Sequence, residues 1–201
     1  MKKQKICIVD YDLGNIFNIS KSLKKLNASF KIVNNYKEAS NFDKYILPGV
    51  GNFDACMKIL KKNGLHDLIK NEYRKGKTIF GICLGMQILF EKSDESKTQK
   101  GLNLIEGEIK HIRKYFEKKV TLPHIGWNKV NFDKNKKLNN YFYFANSYVC
   151  ETSSNNINSY FELEGRKFTA SIEKENLMGT QFHPEISSNQ GLQIYKNFLN
   201  L

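Results

Sequence analysis

Of the four cysteines in this 201-residue chain, only Cys83 has a glycine two residues away on each side. It lies in TIFGICLGMQILFE (78–91), where a β-type apolar run ends at Gly81 and a helical pattern follows Cys83. That is the form of a nucleophile elbow, in which the glycines Gly81 and Gly85 relieve the crowding of a sharp strand-to-helix turn and the thiol is held out of the sheet edge. A helix starting there would point unpaired N–H groups at the sulfur and favour the thiolate. The N–H of Leu84 is placed to donate to an oxyanion formed by attack at Cys83. Cys7 in an apolar strand, Cys56 in a helical pattern and Cys150 at a strand end lack that setting and read as core thiols.

A thiolate engaged in acyl transfer needs a partner that holds its proton and returns it to the leaving group, usually histidine. Among His66, His111, His124 and His183, only the last has the expected company, in GTQFHPEIS (179–187). Pro184 stops the preceding strand, and Glu185, two residues on, can accept from the far ring nitrogen. Cys83, His183 and Glu185 are therefore the expected catalytic residues. ILPGVGNF (46–53) supplies a further element, a strand breaking into Pro-Gly-Val-Gly whose backbone can turn its N–H groups toward an anionic oxygen. Alone, GTQFHPEIS and ILPGVGNF each read as an ordinary turn or loop; beside the Cys83 elbow they point to chemistry.

The elements that must position these residues follow an alternating pattern in the first half. KICIVD (5–10), SFKIV (29–33), KYILP (44–48) and Thr78 to Ile82 read as strands. Asn15 to Leu26 reads as a helix, and Phe53 to Tyr73 as another, interrupted at Asn63-Gly64. This order predicts an α/β fold of three layers, a central, mostly parallel sheet with helices on both faces. From Gly101 the pattern changes to LIEGEIKHI, FYFANSYVC, SYFEL, KFTASI and LMGTQF, expected as added antiparallel strands, before Gly191 to Asn200 returns to helix. No Pro/Gly/Ser-rich linker divides the chain, so residues 1–201 are expected to form a single domain.

Composition excludes several classes. The start MKKQKICIVDYD lacks the apolar segment of a signal peptide, and no apolar run reaches the ~20 residues of a membrane helix, so a cytoplasmic location is expected. The cysteine spacing suits neither disulfides nor zinc, and neither metal nor cofactor is expected. The formal charge of +12 is spread over scattered lysines without a recognition motif, which argues against nucleic acid.

GICLGMQ and QFHPE, about a hundred residues apart, resemble the triad-type (class I) glutamine amidotransferases. LPGVGNF, PHIGWN and the spacing from HPE to the C-terminus are most similar to the glutaminase subunit of imidazole glycerol phosphate synthase. The resemblance implies that Cys83 attacks the side-chain amide of glutamine, that His183 protonates the departing ammonia, and that water releases glutamate from the thioester. It implies oxyanion and glutamine contacts at Gly49, Val50, Gly51, Leu84, Gln87, Ser147 and Tyr148. It also implies a (β/α)₈ barrel cyclase as heterodimer partner, fed with ammonia through an internal channel and faced by Gly14, Asn15 and Trp127. Read from the residues alone, Gly14 and Asn15 are equally a helix entry and Trp127 a core tryptophan.

Two positions depart from the family pattern, Asn146 where histidine is usual and Ile186 where lysine is usual. They leave open a paralogous subunit that supplies ammonia to a surface or flagellar glycan sugar, and a catalytically silent partner-binding subunit stands as a third reading. Glutaminase activity separates the last from the other two.

Overall fold

The strand Lys5–Val9 divides its apolar side chains between two faces, Ile6 and Ile8 on one and Cys7 and Val9 on the other, as a period of two requires. Both faces must therefore be covered. The computed structural model describes residues 4–201. In chain order its elements are β1 (Lys5–Val9), α1 (Ile16–Lys25), β2 (Ser29–Val33), β3 (Lys44–Leu47), α2 (Phe53–Lys62), α3 (Leu65–Arg74), β4 (Thr78–Ile82) and α4 (Leu84–Gln87). There follow β5 (Lys92–Ser93), β6 (Glu108–His111), β7 (His124–Phe132), β8 (Asn140–Asn146), β9 (Tyr148–Glu151), β10 (Ile157–Leu163), β11 (Arg166–Lys174), β12 (Leu177–Thr180) and α5 (Ser188–Asn200).

α1 and α5 cover the Ile6/Ile8 face with Ile19, Leu23, Ile194, Tyr195 and Phe198. α2 and α3 cover the other with Phe53, Met57, Leu60, Leu65 and Ile69. The expected layers are thus present. The large sheet runs β2-β1-β3-β4-β12-β11-β10-β7-β8, parallel from β2 to β12 and antiparallel beyond. A second sheet, β5-β6-β9, packs Ile109 and Cys150 into the α2/α3 side.

Three sequence expectations change. FYFANSYVC is two strands: the chain leaves the large sheet after Asn146 and enters the small one at Tyr148, with Ser147 O accepting from Ile112 N at 2.9 Å. Continuous apolar alternation conceals that switch. LMGTQF, grouped with the antiparallel strands, pairs parallel to β4 as well as antiparallel to β11, so β12 joins the two halves. The tight β11–β12 turn, with Glu175 at φ +52°, folds β12 back beside β11 and thus into place against β4. The helix after Cys83 is one turn, not a continuation through residue 91. Carbonyls of Ile88, Leu89 and Glu91 instead accept from Leu102, Leu104 and Gly101, and that tertiary pairing diverts the chain. β7, whose side chains alternate in exposure, was absent from the expected strands.

Two contacts fix α5. Lys44, buried in β3, donates from Nζ to Phe198 O at 2.8 Å and Leu199 O at 3.1 Å, satisfying carbonyls that a helix end leaves free. Burial lowers the Lys44 pKa, opposed by Asp43. At the other end a Cβ on Gly191 would lie 1.9 Å from Pro184 O, so only glycine lets α5 reach the turn after β12. Gly191→Ala is expected to cost about 1–3 kcal/mol of stability through overpacking, read as a lower urea midpoint at unchanged m-value.

Candidate active site

Three backbone segments converge at the C-terminal end of β4. Cys83 has φ +53° and ψ −110°, a strained conformation for a residue with a Cβ, and one that a nucleophile elbow imposes. Its N–H donates to Thr180 O of β12 at 2.7 Å, and its carbonyl accepts from Met86 N and Gln87 N. The glycines around it are sterically required: a Cβ on Gly81 would lie 2.4 Å from Gly85 O, and one on Gly85 only 1.8 Å from Leu47 O. The loop after β3 closes on the same turn, since a Cβ on Gly49 would lie 2.8 Å from Leu84 Cβ. Because α4 is a single turn, its dipole is small, and the local N–H groups of its first turn, including Leu84, carry what anion stabilisation the helix offers.

His183 follows β12 and is locked by β8: its N–H donates to Tyr143 O at 2.8 Å, and Ser187 Oγ donates to His183 O while accepting from Tyr143 N. The ring's Nδ1–H donates to Glu185 Oε1 at 2.8 Å, with both side chains almost wholly buried. That leaves Nε2 for the sulfur. Burial works against the imidazolium, but the facing Cys83 sulfur and the Glu185 carboxylate outweigh it and push His183 up to about 11. The structure thus brings Cys83, His183 and Glu185 together.

The other titratable candidates have different surroundings. Burial pushes the thiols of Cys7, Cys56 and Cys150 up to about 12, which keeps them protonated. His66 pairs with Asp67, His111 accepts from Arg113 N, and His124 stacks on Phe161 with its pKa lowered by burial. A larger cavity, about 370 Å³ between β9 and the β10–β11 hairpin, holds no nucleophile–base pair. Among the described residues no cluster of His, Cys, Asp and Glu could hold a metal ion, and no helix is long and apolar enough to cross a membrane.

Beside Cys83 opens a cleft of about 260 Å³, lined by Val50, Gly51, Leu84, Gln87, Ser147 and Tyr148, together with Glu95, Pro123, Ala145 and Asn146. Gly49 lies behind its wall, against the elbow. Gly51 has φ +107°, which bends the loop at the cleft edge. Sequence reasoning missed two residues here. Gln181, fully buried, donates to Cys83 Sγ at 3.5 Å and accepts from Gln87 Nε2 at 3.1 Å. Its position two before His183 was a usable signal, since alternate residues of an extended segment share a side. Glu95, which accepts from Phe53 N at 2.9 Å, sits in a charged loop with no distinguishing pattern.

The three expected interface residues are not part of this cleft. A Cβ on Gly14 would lie 2.8 Å from Pro48 Cβ, and Asn15 caps α1 by accepting from Asn18 N. Trp127 is 49% exposed on β7, against Tyr143, and so is not a core tryptophan.

A mixed sheet between helical layers, with a cysteine elbow and a buried His–Glu pair at the C-terminal ends of its central strands, is an arrangement suited to cysteine-dependent acyl transfer. The family model for class-I glutamine amidotransferases matches residues 7–201, and the chain belongs to that family. Curated relatives include imidazole glycerol phosphate synthase subunit HisH of Nostoc punctiforme, 40% identical over 96% of this chain and 94% of that protein. The same subunit of Chlorobaculum tepidum is 36% identical over 96% and 98% of the two chains. Among solved structures, one described as a glutamine amidotransferase superposes with a TM-score of 0.77 at 17% identity over 97% of this chain and 99% of the other. PurLQS from Thermotoga maritima gives 0.75 at 18% identity over 98% of both. At those identities the superpositions establish the shared fold.

The raised His183 value has a testable sign. Its contribution to stability is complete below the unfolded value near 6.5, declines as pH rises, and is gone above about 11. The ring is expected to stay doubly protonated at about pH 8 in the wild type. In Cys83→Ala, with the sulfur's upward pull removed and burial still acting, ¹⁵N NMR should find it titrating at clearly lower pH.

Proposed function

We propose that this chain is the glutaminase subunit of an imidazole glycerol phosphate synthase, hydrolysing glutamine and delivering ammonia to a (β/α)₈ cyclase partner in histidine biosynthesis. The observation that carries the reading is the Cys83–His183–Glu185 constellation beside a cleft of glutamine size, in a chain about 40% identical along its length to proteins of that name. Its place is the cytoplasm, and residues 1–201 act as one domain.

In this reading Cys83 Sγ attacks the carboxamide carbon, and the oxyanion is met by N–H groups of Leu84 and the Gly49–Val50–Gly51 loop. His183, holding a proton on Nε2, gives it to the departing ammonia; the same nitrogen then takes a proton from the water that cleaves the thioester. Glu185 keeps the ring oriented and stabilises its charge throughout. Gln87, Ser147 and Tyr148 hold the substrate, and the Glu95 carboxylate offers a partner for its ammonium group.

The partner's docking face is proposed beside the cleft mouth. On the outer side of the β7–β8 pair, Ile125 and Trp127 stand opposite Ala145 and Tyr143 in register, with Tyr141 two residues farther along, and Ile125, Trp127 and Tyr141 are exposed. Phe17, next to Gly14 and Asn15, is 76% exposed on α1, which packs on the 184–186 turn. Exposed apolar area of this kind is the mark of an interface.

With the barrel subunit and its nucleotide ligand present, glutamine hydrolysis should rise well above that of the isolated chain. Cys83→Ala should lower it on the order of 10⁴-fold or more and abolish labelling by a glutamine-analogue electrophile. Absence of both activity and labelling in the wild-type complex would refute the reading, and failure to restore a histidine auxotroph despite retained hydrolysis would redirect the acceptor to another sugar. Trp127→Ala is expected to weaken partner binding about tenfold or more by calorimetry while leaving the melting temperature unchanged.

A further inference from the structure

Among the buried oxygens near the triad that lack partners, two suit each other. Glu185 Oε1 accepts from His183 Nδ1, but Oε2, equally buried, has no partner, and neither has the hydroxyl of Tyr195 on α5. An unpaired buried carboxylate oxygen is costly, and so is an unpaired buried hydroxyl. Each is what the other needs, because an ionised carboxylate only accepts and a phenol donates.

The packing of α5 sets Tyr195 near the turn that carries Glu185, within reach of the carboxylate charge although no hydrogen bond joins the two side chains. Gly191 lets the helix lie on the carbonyl of Pro184, the residue before Glu185, and Tyr195 is one turn further along the same helical face. The Tyr195 ring is fully buried and stands edge-on to Phe80 of β4, the strand that leads into Cys83. We propose that Tyr195 is a positioning residue whose hydroxyl reaches Glu185 Oε2 across one buried water and so holds the carboxylate in the orientation His183 requires. Burial and the Glu185 charge both raise the Tyr195 pKa well above its ordinary value, which keeps the donor proton in place. α1, which also packs on that turn, carries Ser20, whose hydroxyl is likewise buried without a partner, as is that of Thr180 at the end of β12; these are the competing donors.

The kinetic consequence rests on the glutaminase reading, so the wild-type complex serves as its control: no hydrolysis there refutes that reading and not this one. With wild-type activity present, Tyr195→Phe should lower kcat about three- to tenfold with KM unchanged, and lower the melting temperature, because a bonded hydroxyl is lost. In a Glu185→Gln background the same substitution should have little further effect on kcat. Ser20→Ala should leave kcat as it was. A Tyr195→Phe variant with wild-type kcat overturns the proposal, as does a loss of kcat that persists undiminished beside Glu185→Gln, or one reproduced by Ser20→Ala. Should the wild-type complex prove inactive, the melting temperature still decides the contact, since deleting a hydroxyl that truly lacks a partner would raise it.

Discussion

The site depends on a backbone-to-backbone contact in which no side chain fits. Where β4 turns at Cys83, the chain at Gly85 lies so close to the carbonyl of Leu47 that a single methyl would overlap it at 1.8 Å, and Gly81 lies as tightly against Gly85. That contact presses the loop after β3 onto the first turn of α4. It puts the backbone of Gly49 to Gly51 beside the Cys83 sulfur and fixes Cys83 in its positive-φ conformation. The strain is held in place by the Cys83 N–H bond to Thr180 and by the two N–H groups that bond the Cys83 carbonyl. Chemistry and architecture meet in the same few atoms.

The second half of the site is built on the far side of β12. Because that strand is parallel to β4 and antiparallel to β11, it ends beside the elbow, and the chain then delivers His183 toward the sulfur. β8 holds His183 through its backbone, and α5 backs the turn that carries Glu185. The charged pair is thus enclosed by elements from both ends of the chain. Burial works against the imidazolium, while the Cys83 sulfur and the Glu185 carboxylate on either side of the ring raise its pKa.

The cleft and the exposed apolar face are adjacent. Ala145 belongs to both, lining the cavity beside Cys83 while its neighbours in register carry Ile125 and, one pair along, Trp127 and Tyr143. A partner seated on the β7–β8 pair would therefore touch the wall of the cleft, which provides a short physical route by which association could alter the site.

Local pattern was enough to read the cysteine elbow, its glycines, the His-Pro-Glu turn and the alternation of the first four strands, because each is set by neighbours within a few residues. The lone cysteine between glycines had no other economical reading once a histidine–carboxylate pair was found. What tertiary structure decided was of longer range. It cut the helix after Cys83 to one turn by pairing residues 88–91 with 101–104, split FYFANSYVC between two sheets, and turned β12 into the joint of the large one. It also placed Gln181 beside the sulfur, a contact spanning 98 residues of chain, and laid α5 against the turn that carries Glu185. Spacing along the sequence specifies turns and faces; only packing specifies which distant oxygen or amide meets them.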